Sequence, residues 1–97
     1  MHIQYLGFEQ NLKYRTYAFR VVEVPKQDRE FQLSVETEAL AVSKFKFQDV
    51  PDLCFSKLKR DLASETAEHI VPLRIRVSEA ELKQYVADHY PLKQKRG

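Results

Sequence analysis

The stretch that decides the fold is residues 31–36, Phe-Gln-Leu-Ser-Val-Glu. Its apolar side chains occupy every second position, so Phe31, Leu33 and Val35 point one way and the polar residues between them point the other. Residues 73–77, Leu-Arg-Ile-Arg-Val, show the same alternation after Pro72, which a strand tolerates at its start. Both patterns predict strands with one face in a core, and therefore a sheet that needs a covering layer.

Two further segments of strand character come earlier in the chain. Residues 14–24 are rich in β-branched and aromatic side chains, which suit a pleated, half-buried surface, and Pro25 ends the run. The polar residues 26–29 then predict a hairpin loop. Residues 3–10 are short and apolar-rich with Gly7 inside, a pattern typical of either a strand with a bulge at the glycine or an extended arm.

A longer helix is predicted to begin at residues 49–52, Asp-Val-Pro-Asp, and to end near Ser64 or Glu65. Asp at a helix start can accept orphan backbone N–H groups, and an early Pro loses no internal hydrogen bond. Leu53 lies well off the core-facing stripe of this helix. At 100° per residue the stripe contains Cys54, Phe55, Leu58 and Leu62.

A second helix begins at residues 78–81, Ser-Glu-Ala-Glu, which match a capping box, and it ends at Tyr90 before Pro91. Its apolar face is predicted to carry Leu82, Tyr85, Val86 and His89. Thr37 is expected to cap a short helix through Leu40, followed by an extended segment at residues 45–47, although residues 39–47 as continuous extended chain remain an alternative.

This order of segments predicts an α+β fold: a small, mainly antiparallel sheet of three to four strands with two main helices packed on one face. Residues 1–91 are predicted to form a single compact domain and residues 92–97 a flexible basic C-terminal tail. We find no apolar run of transmembrane length and no signal peptide, so we expect a cytoplasmic protein with no membrane partner.

The composition argues against several kinds of site. Gly7 and Gly97 are the only glycines, so neither a P-loop nor a dinucleotide fingerprint can be written. The single Cys54 excludes an intramolecular disulfide, and its place on the apolar stripe predicts a buried thiol instead of a nucleophile. Glu65 and His69 have the i, i+4 spacing of one helix face. A single Glu–His pair is interpreted as two solvated side chains and not as a metal or acid–base site. We expect no enzyme, cofactor, metal or small-molecule substrate.

The basic residues are the candidates for binding a macromolecule. The formal net charge of +2 is too small to indicate a nucleic-acid partner alone. Eight cations nevertheless fall on the longer helix, the strand at 73–77 and the tail, and they could contact phosphate: Lys57, Lys59, Arg60, Arg74, Arg76, Lys93, Lys95 and Arg96. Alternatively, the two strand arginines pair across the sheet with Glu36 or Glu23.

The aromatic residues favour a different interpretation. Five Tyr and six Phe are generous for a core this small, and several need cover: Tyr5, Phe8, Tyr14, Tyr17, Phe45, Phe47 and Tyr90. Rings with an apolar rim are typical of a binding patch or dimer interface, unless the N-terminal segment and residues 45–47 fold over the sheet and bury them. We therefore expect a protein-interaction or self-association module, with a protein partner or homodimer, and a nucleic-acid-binding module as the alternative.

Overall fold

Four strands form one sheet in the order in which they occur along the chain. The computed structural model describes residues 1–90, so the predicted tail, with Lys93, Lys95 and Arg96, lies outside the described residues. An antiparallel meander joins the first three strands, and the fourth lies parallel to the third. The strands are β1 (His2–Gln10), β2 (Tyr14–Val22), β3 (Arg29–Glu36) and β4 (Arg74–Arg76).

Helices cover one face of this sheet. They are α1 (Thr37–Val42), α2 (Val50–Ala63) and α3 (Glu79–His89), with a short 3₁₀ turn at Phe47–Asp49 before α2. Parallel strands cannot be joined by a tight turn, so the connection from β3 to β4 crosses over through α1 and α2. The predicted α+β fold, with a mainly antiparallel sheet, is confirmed. Within residues 1–90, every helix is too short or too polar to span a bilayer.

The core lies between the sheet and the helices. The inward apolar residues of β2 and β3 are at most 1% exposed, and α2 and α3 contribute Cys54, Leu58 and Leu82 at 0%. All of them belong to one continuous cluster. The alternation in β3 therefore predicted its buried face correctly. The buried apolar residues of β2 and β3 are Tyr17, Phe19, Val21, Phe31, Leu33 and Val35.

Two leucines depart from the predicted pattern. Leu53, expected off the core-facing stripe, is 5% exposed, because α2 packs on a second side against α3, where Leu53 shares a small cleft with Tyr85 and His89. Leu73, expected to point inward, is 51% exposed. It precedes β4, which spans only Arg74–Arg76 at the edge of the sheet, so no neighbouring strand or helix covers its side chain.

The starts of α1 and α2 also differ from expectation. Glu36, not Thr37, occupies the cap position of α1, without a side-chain hydrogen bond, and the Thr37 hydroxyl is buried without a partner among residues 1–90. Asp49 does occupy the cap position of α2, but its carboxylate accepts a hydrogen bond from the Tyr90 hydroxyl. Phe47 lies in the 3₁₀ turn and not in an extended segment.

Other boundaries moved by one or two residues. β2 ends at Val22 and β3 begins at Arg29, so the hairpin connection lies two residues earlier in the chain than predicted. By contrast, the capping box of α3 is present: the Ser78 hydroxyl accepts from the Glu81 N–H at 3.2 Å, and the Glu81 carboxylate accepts from the Ser78 N–H at 2.8 Å.

A β-bulge interrupts β1 where Gly7 predicted it. The register against β2 shifts between Tyr5 and Gly7, and Gly7 has a φ of 124°, which side chains rarely adopt. Tyr5 therefore pairs with Phe19 while Phe8 pairs with Tyr17. Since both partners point into the core, Tyr5 and Phe8 lie on the same face although three residues separate them. The alternative of an unpaired extended arm is wrong.

Candidate interaction surface along strand β1

The outer edge of β1 has no strand beside it within residues 1–90. This strand is nine residues long, and its outward N–H and C=O groups are available for pairing. Native proteins commonly protect such an edge with Lys, Pro or a bulge. Residues 1–10 contain no Lys, Arg or Pro, and Glu9 is their one carboxylate. The bulge is thus the one such device that β1 contains.

Large apolar side chains flank this edge. Tyr5 is 43% exposed, Leu6 38% and Phe8 50%. The two rings rest on the core residues of β2, with centroids 5.3 Å apart for Tyr5–Phe19 and 5.4 Å for Phe8–Tyr17. The β2 rings beneath them are at most 1% exposed, whereas Tyr5 and Phe8 each keep one side open to solvent.

Arg15 extends this apolar region. The residue is 8% exposed, and its guanidinium carbon lies 4.2 Å from the centroid of Phe8 and 4.4 Å from that of Phe47. The Nε group donates to the Tyr17 hydroxyl at 2.8 Å, and Nη1 donates to the Gln10 amide oxygen. Cation–π contacts of this kind stabilise by about 0.5–2 kcal/mol each. They hold Phe47, which is 50% exposed, beside Phe8.

We call this region the β1 surface: the outer edge of β1 with the exposed side chains of Tyr5, Leu6, Phe8 and Phe47. Some of the aromatic rings that the sequence predicted to need cover do not contribute to this surface. Tyr17 and Phe45 are buried, while Tyr14 and Tyr90 are half-buried. Burial raises the pKa of Tyr17 and of Tyr5 above the usual tyrosine value, so both phenols are neutral near pH 7.

The helix cations lie on α2, in the layer that covers the sheet. The Lys57 side chain is 12% exposed and forms ion pairs with Glu81 at 2.5 Å and Asp61 at 3.3 Å. Arg60 lies 3.8 Å from Glu81. Lys59 is exposed on α2. The carboxylates around α2 therefore already neutralise part of its positive charge.

The strand cations lie on the opposite, open face of the sheet. Arg74 is in register with Gln32 and Arg76 with Ser34, whose side chains point away from the core. Neither arginine has a carboxylate within 4 Å in the described chain. The Arg76 guanidinium carbon instead lies 4.7 Å from the Tyr14 ring centroid. We call Arg74, Arg76, Ser34 and Tyr14 the β4 surface.

The alternative in which the strand arginines pair with Glu36 or Glu23 is wrong, since no such ion pair is present among residues 1–90. Glu23 lies 3.9 Å from Arg29 and 3.8 Å from Lys26, so it does not serve the strand arginines. The structure separates the helix cations from Arg74 and Arg76, with the sheet between them, and they do not form one continuous basic patch.

The residues considered for catalysis have structural contacts. Cys54 is fully buried, and burial raises the pKa of its thiol to about 12, which keeps it protonated and inaccessible. Glu65 accepts two hydrogen bonds from Arg29, while His69 closes a turn with Thr66 through their backbones. Across residues 1–90, no three His, Cys, Asp or Glu residues lie close enough together to hold a metal ion.

A small cleft of ≈ 120 Å³ lies between α2 and α3. It contains the ion pair of Lys57 with Glu81, and the ring of Tyr85 stacked on His89 at 3.9 Å between centroids. The Tyr85 hydroxyl donates to Asp52 at 2.8 Å. Burial, followed by this hydrogen bond, raises the pKa of that phenol. The contacts of Lys57 with Glu81 and of Tyr85 with Asp52 join the two helices.

Two residues were not predicted from the sequence: Leu6, which belongs to the β1 surface, and Arg15, which contacts the rings of Phe8 and Phe47. Arg15 has the same odd numbering as Tyr17 and Phe19, so the alternation in β2 already placed it on the core face. Leu6 precedes the glycine of the bulge. Comparison with known proteins adds no further assignment: no family model, no curated protein and no solved structure matches this chain.

Proposed function

We propose that this domain is a protein-interaction module that binds an extended polypeptide segment along the outer edge of β1. The observation that supports it most is a nine-residue edge strand that lacks Lys, Arg and Pro and has Tyr5, Leu6 and Phe8 partly exposed beside it. An added strand would form main-chain hydrogen bonds to β1, while its alternate side chains contact the rings.

The rings offer two adjacent contact positions. Tyr5 and Phe8 lie on the core face on either side of the bulge, and the Arg15 guanidinium contacts the rings of both Phe8 and Phe47. A bound segment with apolar side chains at alternate positions would cover these half-exposed rings. Because Tyr17 and Phe19 already support them from below, little side-chain order is lost on binding, which favours affinity.

The test is selection of peptides from a phage-displayed library of random 12-residue sequences, followed by hydrogen–deuterium exchange of the complex. We expect the selected peptides to show alternating apolar residues and to slow exchange at β1 amides. Leu6→Lys should weaken their binding at least tenfold because it places a charge at the edge. The matched control is Leu73→Lys at the opposite edge of the sheet, where the leucine is 51% exposed against 38% for Leu6, and it should leave binding unchanged.

The proposal fails if selected peptides protect β4 or the helices instead of β1. It also fails if the two lysine substitutions weaken binding equally, or if no peptide is enriched over several rounds of selection.

A second candidate function is binding of single-stranded nucleic acid at the β4 surface. It is supported by two exposed arginines without carboxylate partners in the described residues, next to a half-buried tyrosine. Guanidinium groups bind phosphate, and an aromatic ring can stack on a base. The Ser34 hydroxyl, which is hydrogen-bonded to Thr16 at 3.0 Å, lies on the same face.

Fluorescence anisotropy of a labelled single-stranded oligonucleotide tests this candidate. Binding should weaken steeply as salt rises, and the double variant Arg74→Ala, Arg76→Ala should abolish it. The control is Lys59→Ala with Lys83→Ala, which removes the same charge from exposed positions on the helices. Equal losses in both double variants, or no binding at about 50 mM salt, would reject a site at β4.

A further inference from the structure

We propose that the segment bound by β1 is β1 of a second copy of this chain, paired antiparallel about a twofold axis. This inference rests on the proposed function and names its partner. In the proposed register, Leu6 of one copy lies opposite Gly7 of the other. The Tyr5 of each copy then lies opposite the Phe8 of the other copy. The result would be a continuous eight-stranded sheet with the exposed rings of both copies side by side.

The bulge is what makes β1 complementary to itself. Before the bulge, Ile3 and Tyr5 pair with the core-facing residues of β2. After it, Phe8 and Gln10 do so. The core-facing positions therefore have odd numbers before the bulge and even numbers after it. The open-face positions have even numbers before the bulge and odd numbers after it.

Opposed residues in an antiparallel pair point to the same side of a sheet. In the proposed register, Tyr5 faces Phe8 and Ile3 faces Gln10, all on the core face, while Gln4 faces Glu9 on the open face. A regular strand could not do this, because positions 5 and 8 would point to opposite faces. If the register shifted by one residue in either direction, core-facing side chains of one copy would lie opposite open-facing side chains of the other.

A shift of two residues, which places Ile3 opposite Phe8, also matches the faces. It opposes Tyr5 to the bulged Leu6 and so separates the aromatic rings. The proposed register instead aligns the two bulges and joins the rings directly. Charge is also compatible, since Glu9, the one carboxylate of β1, lies opposite the neutral Gln4. A second copy is thus the partner whose side-chain pattern matches β1 over its length.

Light scattering on the intact protein measures the association. We expect a concentration-dependent dimer that Leu6→Lys dissociates and Leu73→Lys leaves intact. Both leucines are exposed, so neither substitution disturbs the core. A monomer at every concentration, or a dimer that Leu6→Lys does not weaken, would overturn the inference.

Designed cysteines test the register. In the double variant Gln4→Cys, Glu9→Cys, the new thiols lie opposite each other only across the twofold axis. They cannot join within one strand, because five residues of strand span about 16 Å and a disulfide needs Cα atoms within about 7 Å. The native Cys54 is fully buried, so it does not interfere.

Mild oxidation should convert this double variant to a covalent dimer, whereas Gln4→Cys alone should give much less. The variant His2→Cys, Glu9→Cys tests the alternative register, in which those residues oppose each other. Preferential cross-linking of that second variant would overturn the proposed pairing. A monomer that still binds selected peptides at β1 would overturn self-association and leave the proposed function standing.

Discussion

Replacing Glu65 by Gln tests how the segment after α2 is fastened to the sheet. The Glu65 carboxylate accepts hydrogen bonds from Arg29, 2.9 Å from Nη1 and 3.1 Å from Nη2, and from the Val71 N–H at 2.8 Å. Arg29 begins β3, so these bonds connect the crossover to the sheet. Glu65→Gln keeps the size of the side chain, removes the charge and turns an amide N–H₂ group toward the guanidinium.

The contact is shielded enough to contribute measurably to stability. The side chain of Glu65 is 17% exposed and that of Arg29 25%, so the pair should exceed the 0–1 kcal/mol typical of fully exposed ion pairs. Hydrogen bonds to charged groups contribute about 1.5–3 kcal/mol. We therefore expect Glu65→Gln to lower the free energy of unfolding by about 1.5 kcal/mol, which corresponds to roughly 6–12 °C in Tm for a domain of this size.

The effect should depend on pH. The hydrogen bonds from Arg29, followed by that from Val71, hold the pKa of Glu65 below its usual value. A carboxylate with a depressed folded-state pKa stabilises the fold above its unfolded pKa of about 4.3. That stability is lost as pH falls through the folded-state pKa. The difference between wild type and Glu65→Gln should therefore shrink below about pH 4.

Urea unfolding followed by circular dichroism, at about pH 7 and about pH 3, measures the loss in free energy of unfolding and its dependence on pH. Glu68→Gln is the matched control, since Glu68 is exposed and has no ion pair among residues 1–90. The reasoning is refuted if Glu65→Gln unfolds within about 0.3 kcal/mol of the control at neutral pH. It is equally refuted if the difference is the same at both pH values.

Three further experiments test the start of α3, the burial of Cys54 and the packing of two leucines. Ser78→Ala should cost about 1 kcal/mol by thermal unfolding because the hydroxyl caps α3, and an unchanged Tm would contradict the capping role. Cys54 should react with a thiol reagent far more slowly in the native protein than in urea, since it is fully buried with its pKa raised to about 12; rapid native labelling would contradict this. Leu53→Ala should cost about 2–5 kcal/mol, and Leu73→Ala less than about 0.5 kcal/mol, in urea unfolding. Equal costs would mean that the two leucines are packed alike.

Local patterns in the sequence predicted the elements whose periodicity is strong. The alternation around Phe31 and Leu33 placed β3 and its buried face. Ser78 and Glu81 placed the start of α3 to the residue. Each signal depends on neighbours within one turn or one strand, so the sequence alone contains the information that forms it.

Contacts between elements that are distant in sequence decided the rest. Leu53 is buried because α3 lies against a second side of α2, and Leu73 is exposed because β4 is a short edge strand. The helical wheel of α2 and the alternation of residues 73–77 describe each element alone. Neither pattern contains the position of the neighbour that covers it.

The β1 surface depends both on a local sequence signal and on contacts between elements that are distant in sequence. From the sequence, Gly7 left a bulged strand and an extended arm as alternatives, and the structure shows the bulge, with a φ of 124° at Gly7 that side chains rarely adopt. The effect of that bulge on Tyr5 and Phe8 required the register against β2. Their exposure, and the seating of Arg15 between Phe8 and Phe47, required the placement of the helical layer. A sequence fixes the conformational preference of a residue, but the packing of distant elements decides which side chains remain in contact with water.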